Sequence, residues 1–81
     1  MLIHSPHELA LLIKSQRKKL KLSQAEVAEL VGLKQKTISA IENNPENIRL
    51  STLFRILSAL GLDFNAAPKN EPITNQWNDE W

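Results

Sequence analysis

Five polar side chains stand almost side by side at Lys34, Gln35, Lys36, Thr37 and Ser39, framed by Leu33, Ile38 and Ile41. Their types suit hydrogen bonding to a polar, anionic ligand better than they suit catalysis. The Gln35 amide can pair with adenine N7 and N6 together, and a lysine can contact guanine O6 and N7 or a phosphate. Lys34 and Lys36 flank Gln35, and the sequence leaves open which of them meets a base. Ser39, one helical turn further on, offers a short hydroxyl to the same side, with Thr37 toward the edge. Other chemistry has little to work with. Cysteine is absent, His4 and His7 form no ligand set, and no glycine-rich phosphate loop or pocket-forming carboxylate pair is present. No enzyme, metal, cofactor or small-molecule ligand is therefore expected.

A row of this kind needs one element to present it and others to pin that element from behind. Residues 24–43 have the required grammar. Ala28 is small enough for two helices to cross steeply, and Gly32 tolerates the positive φ of a sharp turn. Val27, Leu30, Val31, Leu33, Ile38 and Ile41 fill apolar positions, the last three pinning the second helix while its other face is left to enter a major groove. The plainer reading is an αα-hairpin in an ordinary helical bundle. Upstream, Ser5-Pro6-His7-Glu8 opens a first helix with a capping box and proline at N1. Leu9, Leu12, Ile13 and Leu20 form its buried stripe, which Gln16 interrupts. A second box, Ser23 to Glu26, opens helix two. Helix three follows with Lys34 at its N-cap, a poor capping residue that leaves amides and dipole free for phosphate.

Downstream, Asn44-Pro45-Glu46-Asn47 is turn chemistry, and a fourth helix runs from about Leu50 until Gly61 stops it. Its apolar face is broad, so Leu53 and Leu57 are expected in a dimer interface together with Phe64. Residues 62–67 alternate apolar and polar over their first four positions and read as a short strand, which in an all-α chain would pair with its copy across a dyad. The expected fold is an all-α helix-turn-helix domain of about four helices over residues 1–67. A polar tail follows at residues 68–81 and is read as disordered. Eighty-one residues build only a small core, which favours a homodimer.

Charge agrees with this layout. Residues 1–36 carry seven basic and three acidic groups, net +4, and the remainder three basic and six acidic, net −3. The basic half holds the groups that would meet phosphates. Arg17 and Lys18 on helix one, Thr37, and Asn43 and Asn44 after the reading row are candidate phosphate contacts. A solvent-facing role for Lys18 and Thr37, and a turn role for Asn44, compete with that. Trp77 and Trp81 in the polar tail suit anchors that bury on a partner, or an entry point for proteolysis. No apolar run has the length of a membrane span or a signal-peptide core, and a cytoplasmic protein is expected.

The stretch KQKTISAIENNPENIRLSTLFRILSAL, with the tail ending Glu80-Trp81, resembles the HipB-type antitoxins of the Xre or lambda-repressor-like group. The resemblance covers residues 5–67. It implies a dimeric autorepressor that binds inverted-repeat operator DNA and a HipA-type serine/threonine kinase toxin. It also implies that Gln24, at the start of helix two, holds a phosphate and braces Gln35. Lys36 stands where this family also accepts a small residue. Two alternatives use the same scaffold: a repressor with no toxin partner, against which the Trp81 tail argues, and a protein-interaction module without DNA, against which Lys34, Gln35 and Lys36 argue.

Overall fold

The computed structural model describes residues 2–69. Four helices follow in order: α1 (Pro6–Lys19), α2 (Gln24–Val31), α3 (Gln35–Asn43) and α4 (Leu50–Ala59), with a 3₁₀ turn at Pro45–Asn47. The all-helical expectation holds for the described residues. The helix ends follow local chemistry. Ser5 caps α1 by accepting from the Glu8 N–H at 3.1 Å, and Pro6 takes the first position. The returning bond runs one residue earlier than a standard capping box, because the Glu8 carboxylate accepts from the His4 N–H at 2.6 Å. At α2 the box is complete, with Glu26 N–H donating to Ser23 Oγ and Ser23 N–H donating to Glu26 Oε1.

Three helices end in the same left-handed turn. Leu22 N–H reaches Arg17 O, Leu33 N–H reaches Ala28 O and Leu62 N–H reaches Leu57 O, each closing a six-residue loop around a residue with positive φ. Gly32 (φ 73°) and Gly61 (φ 70°) serve α2 and α4. At α1 the position is held by Lys21 (φ 60°), which composition does not advertise because glycine is the usual occupant.

Ile13, Val27, Ala28, Val31, Ile38, Ile41, Leu53, Ile56, Leu57 and Leu60 form the core, drawn from all four helices. Two side-chain ties fasten α4 to the rest. Gln16, the polar break in the α1 stripe, donates to the Leu60 carbonyl at 3.0 Å, and Arg55 donates to the Val31 carbonyl at the end of α2. The broad apolar face of α4 divides in a way the sequence does not reveal. Leu53 and Leu57 are only 5% and 4% exposed within one chain, which corrects their expected place in a dimer interface. Their side chains already pack in the core. The apolar residues that α4 leaves outside are Leu50 and Phe54.

The described residues include no strand, and residues 62–67 continue from Gly61 without regular pairing. Extended backbone needs a partner edge, which a single chain of helices does not supply. Trp77, Trp81 and residues 70–81 of the expected tail lie outside the described residues.

The structure gives Arg17 an internal role that the sequence does not show. Its side chain is 11% exposed and three of its five guanidinium N–H groups are engaged inside the molecule. Nε donates to Glu42 Oε2 at 2.7 Å, Nη2 to Glu42 Oε1 at 3.1 Å and Nη1 to the Leu22 carbonyl at 2.8 Å. A group so committed serves the inside of the molecule first, and two N–H groups are left over. Glu42, whose side chain is 1% exposed, also accepts from Gln24 Nε2 at 3.1 Å. Burial pushes the Glu42 carboxyl up, but hydrogen bonds from Arg17 and Gln24, with the charges of Arg17 and Lys14, outweigh it and hold the group below its ordinary value.

Removing one partner of such a pair strands a buried charge, which costs about 3–5 kcal/mol, whereas replacing both by apolar residues is often close to neutral. Arg17→Met should therefore lower stability in chemical denaturation by about 3–5 kcal/mol, and Arg17→Met/Glu42→Leu should recover most of the loss. Because the folded carboxyl is held low, the unsubstituted protein has the full contribution of Glu42 above about pH 4.3 and loses it as pH falls through the lower folded value. Acid titration of unfolding should show that loss in the unsubstituted protein and not in the double variant.

Candidate nucleic-acid interface

Helix α3 has two sharply different sides. Ile38, Ile41 and Glu42 face inward and are buried, while Lys34, Gln35, Lys36, Ala40 and Asn43 are exposed. Thr37 and Ser39 are half-buried at the boundary. Gln35, Ser39 and Asn43 fall at intervals of four and so share one stripe. At the front of that stripe Lys34 occupies the N-cap with extended backbone and no side-chain cap. The Lys34 carbonyl accepts from the Thr37 and Ile38 amides, as the start of a helix requires. The N-terminal dipole of α3 is thus open to solvent beside two lysines, a setting that favours an anion.

The scaffold behind the stripe is tightly specified. Gln24, the first residue of α2, is half-buried, and its amide is tied to Glu42 on α3. Through that bond the start of α2 and the body of α3 share one carboxylate with Arg17 of α1. The expected contact of Gln24 with Gln35 is not among the bonds formed. Gln24 braces α3 from behind, through Glu42. Gly32 sits between α2 and α3, and a Cβ there would meet Arg55 Nη2 at 3.2 Å, in a backbone conformation that side chains rarely adopt.

The other candidates take separate places. Lys18 is exposed near the end of α1, with Lys19 and Lys21. Asn43 Nδ2 donates to Ser39 Oγ at 3.2 Å, so these two polar residues act as a pair. Asn44 is exposed, and its backbone N–H closes α3 on the Ala40 carbonyl. Phe64 is 57% exposed and meets the 47% exposed Phe54 edge to face, with ring centroids 5.8 Å apart. These two rings lie on α4 and on the segment that follows it.

Two groups escape a reading of the sequence. Glu42 lies one position after Ile41 on the buried side of α3, and Arg17 lies four after Ile13 on the buried side of α1. A charge on each of two apolar stripes is itself a signal, since buried charges require partners. Phe54 and Leu50 are hidden within a continuous leucine-rich run. No helix of the described residues is long and apolar enough to cross a membrane.

Comparison with known proteins extends this geometry. The helix-turn-helix family profile matches residues 13–66. Antitoxin HipB of Escherichia coli K12 is 42% identical over 85 residues, covering 98% of this chain and 93% of that protein. Among solved structures, a HipB variant in complex with an O2 20-mer superposes with a TM-score of 0.81 at 41% identity, covering 86% of this chain and 97% of the other. A HipA–HipB–O2–O3 complex gives the same TM-score at 40% identity, covering 86% and 99%. Likeness of this extent, in sequence and in backbone together, makes the assignment: the chain belongs to the HipB antitoxins, within the helix-turn-helix family.

Proposed function

We propose that this protein is a sequence-specific DNA-binding autorepressor and antitoxin, acting as a homodimer on inverted-repeat operator DNA and binding a HipA-type kinase toxin. The observation that carries the reading is the state of α3. Its buried side is held by core and ion pair, while Lys34, Gln35 and Lys36 project at an uncapped N-terminus with their side chains uncommitted. Relatives solved in complex with operator DNA and with HipA supply the partner classes.

Within this reading Gln35 reads a base edge, Lys34 and Lys36 contact a base or a phosphate, and Ser39 faces the same groove. Lys18 and Thr37 contact phosphates, as does Gln24 through the amide hydrogen that Glu42 does not use, and Asn44 is a further candidate. The dimer surface is formed by Leu50, Phe54 and Phe64, with residues 63–67 of each copy pairing as a two-stranded ribbon across the dyad. Such pairing satisfies the backbone that one chain leaves without an edge. The recognition helices then sit about 34 Å apart, one turn of duplex. Trp77 and Trp81 are assigned to toxin binding or to recognition by a protease. The protein works in the cytoplasm, on the nucleoid when bound to its operator.

Substitutions in α3 and α1 test the DNA assignments. Gln35→Ala should weaken cognate operator binding by about 1–3 kcal/mol and relax discrimination at one base pair per half-site. Lys18→Ala should weaken all sequences alike and make the slope of log K against log salt shallower by about 0.9 for each phosphate no longer neutralised. An unchanged sequence preference in Gln35→Ala would remove that residue from the reading role.

Sedimentation should show a dimer at tens of micromolar, shifted toward monomer by Phe54→Ser or Phe64→Ser; a monomer in the unsubstituted protein, unchanged by operator, would overturn the assembly. Trp77→Ala/Trp81→Ala should leave thermal stability and operator binding intact. It should either weaken toxin binding by about 2–4 kcal/mol, or lengthen cellular lifetime. No change in either quantity would leave the tail without a role.

A further inference from the structure

The bond between Asn43 and Ser39 carries an inference that deepens the proposed reading of DNA and rests on it. A serine hydroxyl has one hydrogen to donate and two lone pairs. Here Asn43 Nδ2 donates to Ser39 Oγ at 3.2 Å, from one turn further along the exposed stripe of α3. One lone pair is therefore occupied. A serine inside a helix commonly turns its hydroxyl hydrogen onto the carbonyl four residues back, which for Ser39 is Gln35. Among the described residues no such bond forms, and the contact with Asn43 is the hydrogen bond that the Ser39 side chain makes. The hydrogen has no acceptor among the described residues and is free to be donated outward.

The consequence is a polarity. We propose that Asn43 is a positioning residue that, by occupying one lone pair of Ser39 and polarising its hydroxyl, biases Ser39 toward donating into the major groove, so that Ser39 favours a base offering a keto oxygen over one offering an amine. At corresponding places on the major-groove edge thymine O4 faces cytosine N4, and guanine O6 faces adenine N6. A donor at that place distinguishes the members of each pair, which a freely rotating hydroxyl does poorly. Asn43 lies eight residues after Gln35, about 12 Å along the axis, so it acts through Ser39 rather than on a base itself. Its role also differs from a phosphate contact, because its effect depends on which base is present.

The test uses the full-length protein and a randomised duplex library. The unsubstituted protein is first used to select its preferred site, and each base is then varied in turn. One position per half-site should prefer a keto over an amino base by about two- to tenfold, the scale of one neutral hydrogen bond. Asn43→Ala should bring that ratio close to unity. Asn43→Asp, whose ionised carboxylate can only accept, should draw the hydroxyl hydrogen to itself, expose the lone pairs and reverse the preference toward the amine. Both changes in ratio should vanish in a Ser39→Ala background. Asn43 is exposed, and far-ultraviolet circular dichroism should show each variant folded.

A uniform weakening of all sequences by Asn43→Ala, with a shallower salt slope and equal size in the Ser39→Ala background, would make Asn43 a phosphate contact and overturn the inference. A keto preference left unchanged by Asn43→Ala and Asn43→Asp would overturn it as well, with the DNA-reading function intact. If the unsubstituted protein enriched no sequence at all, the reading function itself would fall and take the inference with it.

Discussion

Glu42 is one carboxylate shared by three helices, and the geometry of the reading surface depends on it. From α1 it receives the Arg17 fork, from the start of α2 the Gln24 amide, and it belongs itself to α3. Arg17 in turn holds the Leu22 carbonyl, in the turn that sends the chain from α1 into α2. Apolar packing alone tolerates small rotations of a helix, because Ile38 and Ile41 can repack with little change in buried area. A bidentate pair does not, since both oxygens must meet both nitrogens in one plane. A binding surface on a helix requires its side chains to be placed within about 0.5 Å. The ion pair is best understood as a constraint on the attitude of α3 rather than as a gain in stability, which buried pairs often fail to provide.

The polar ties divide the molecule into a rigid side and a free one. Gln16, Arg17, Gln24, Glu42 and Arg55 each hold another element in place. The exposed edge of α3 holds nothing in place. Phe54 and Phe64 form a third region, where two half-exposed rings on a helix and on the segment that follows it stack edge to face. The three regions share no side chain.

Much of this architecture is legible in the sequence alone. Ser5, Ser23, Gly32 and Gly61 announce helix boundaries because capping and left-handed turns are local events, settled within a few residues. The row from Lys34 to Ser39 is legible for the same reason, as its neighbours in sequence are its neighbours in space. What escapes is non-local. Arg17 looks like one more cation at a basic helix end until Glu42, 25 residues away, is placed against it. Leu53, Phe54 and Leu57 are alike in hydrophobicity, and only the rotation of α4 about its axis decides which of them the core receives. The strand expected at residues 62–67 does not form in the single chain, where no neighbouring edge offers it a partner.

The unengaged edge of α3 has a consequence over longer times. Lys34, Gln35 and Lys36 lie outside the core and make no side-chain bond to the rest of the described chain. Exposed substitutions of that kind usually change stability by less than about 0.5 kcal/mol. A lineage can therefore exchange these residues without passing through intermediates that fail to fold, while Arg17, Gln24 and Glu42 keep α3 at the same angle throughout. Under the proposed reading, two descendants of one gene in the same cell come to ignore each other's operators through a few changes at the front of a single helix.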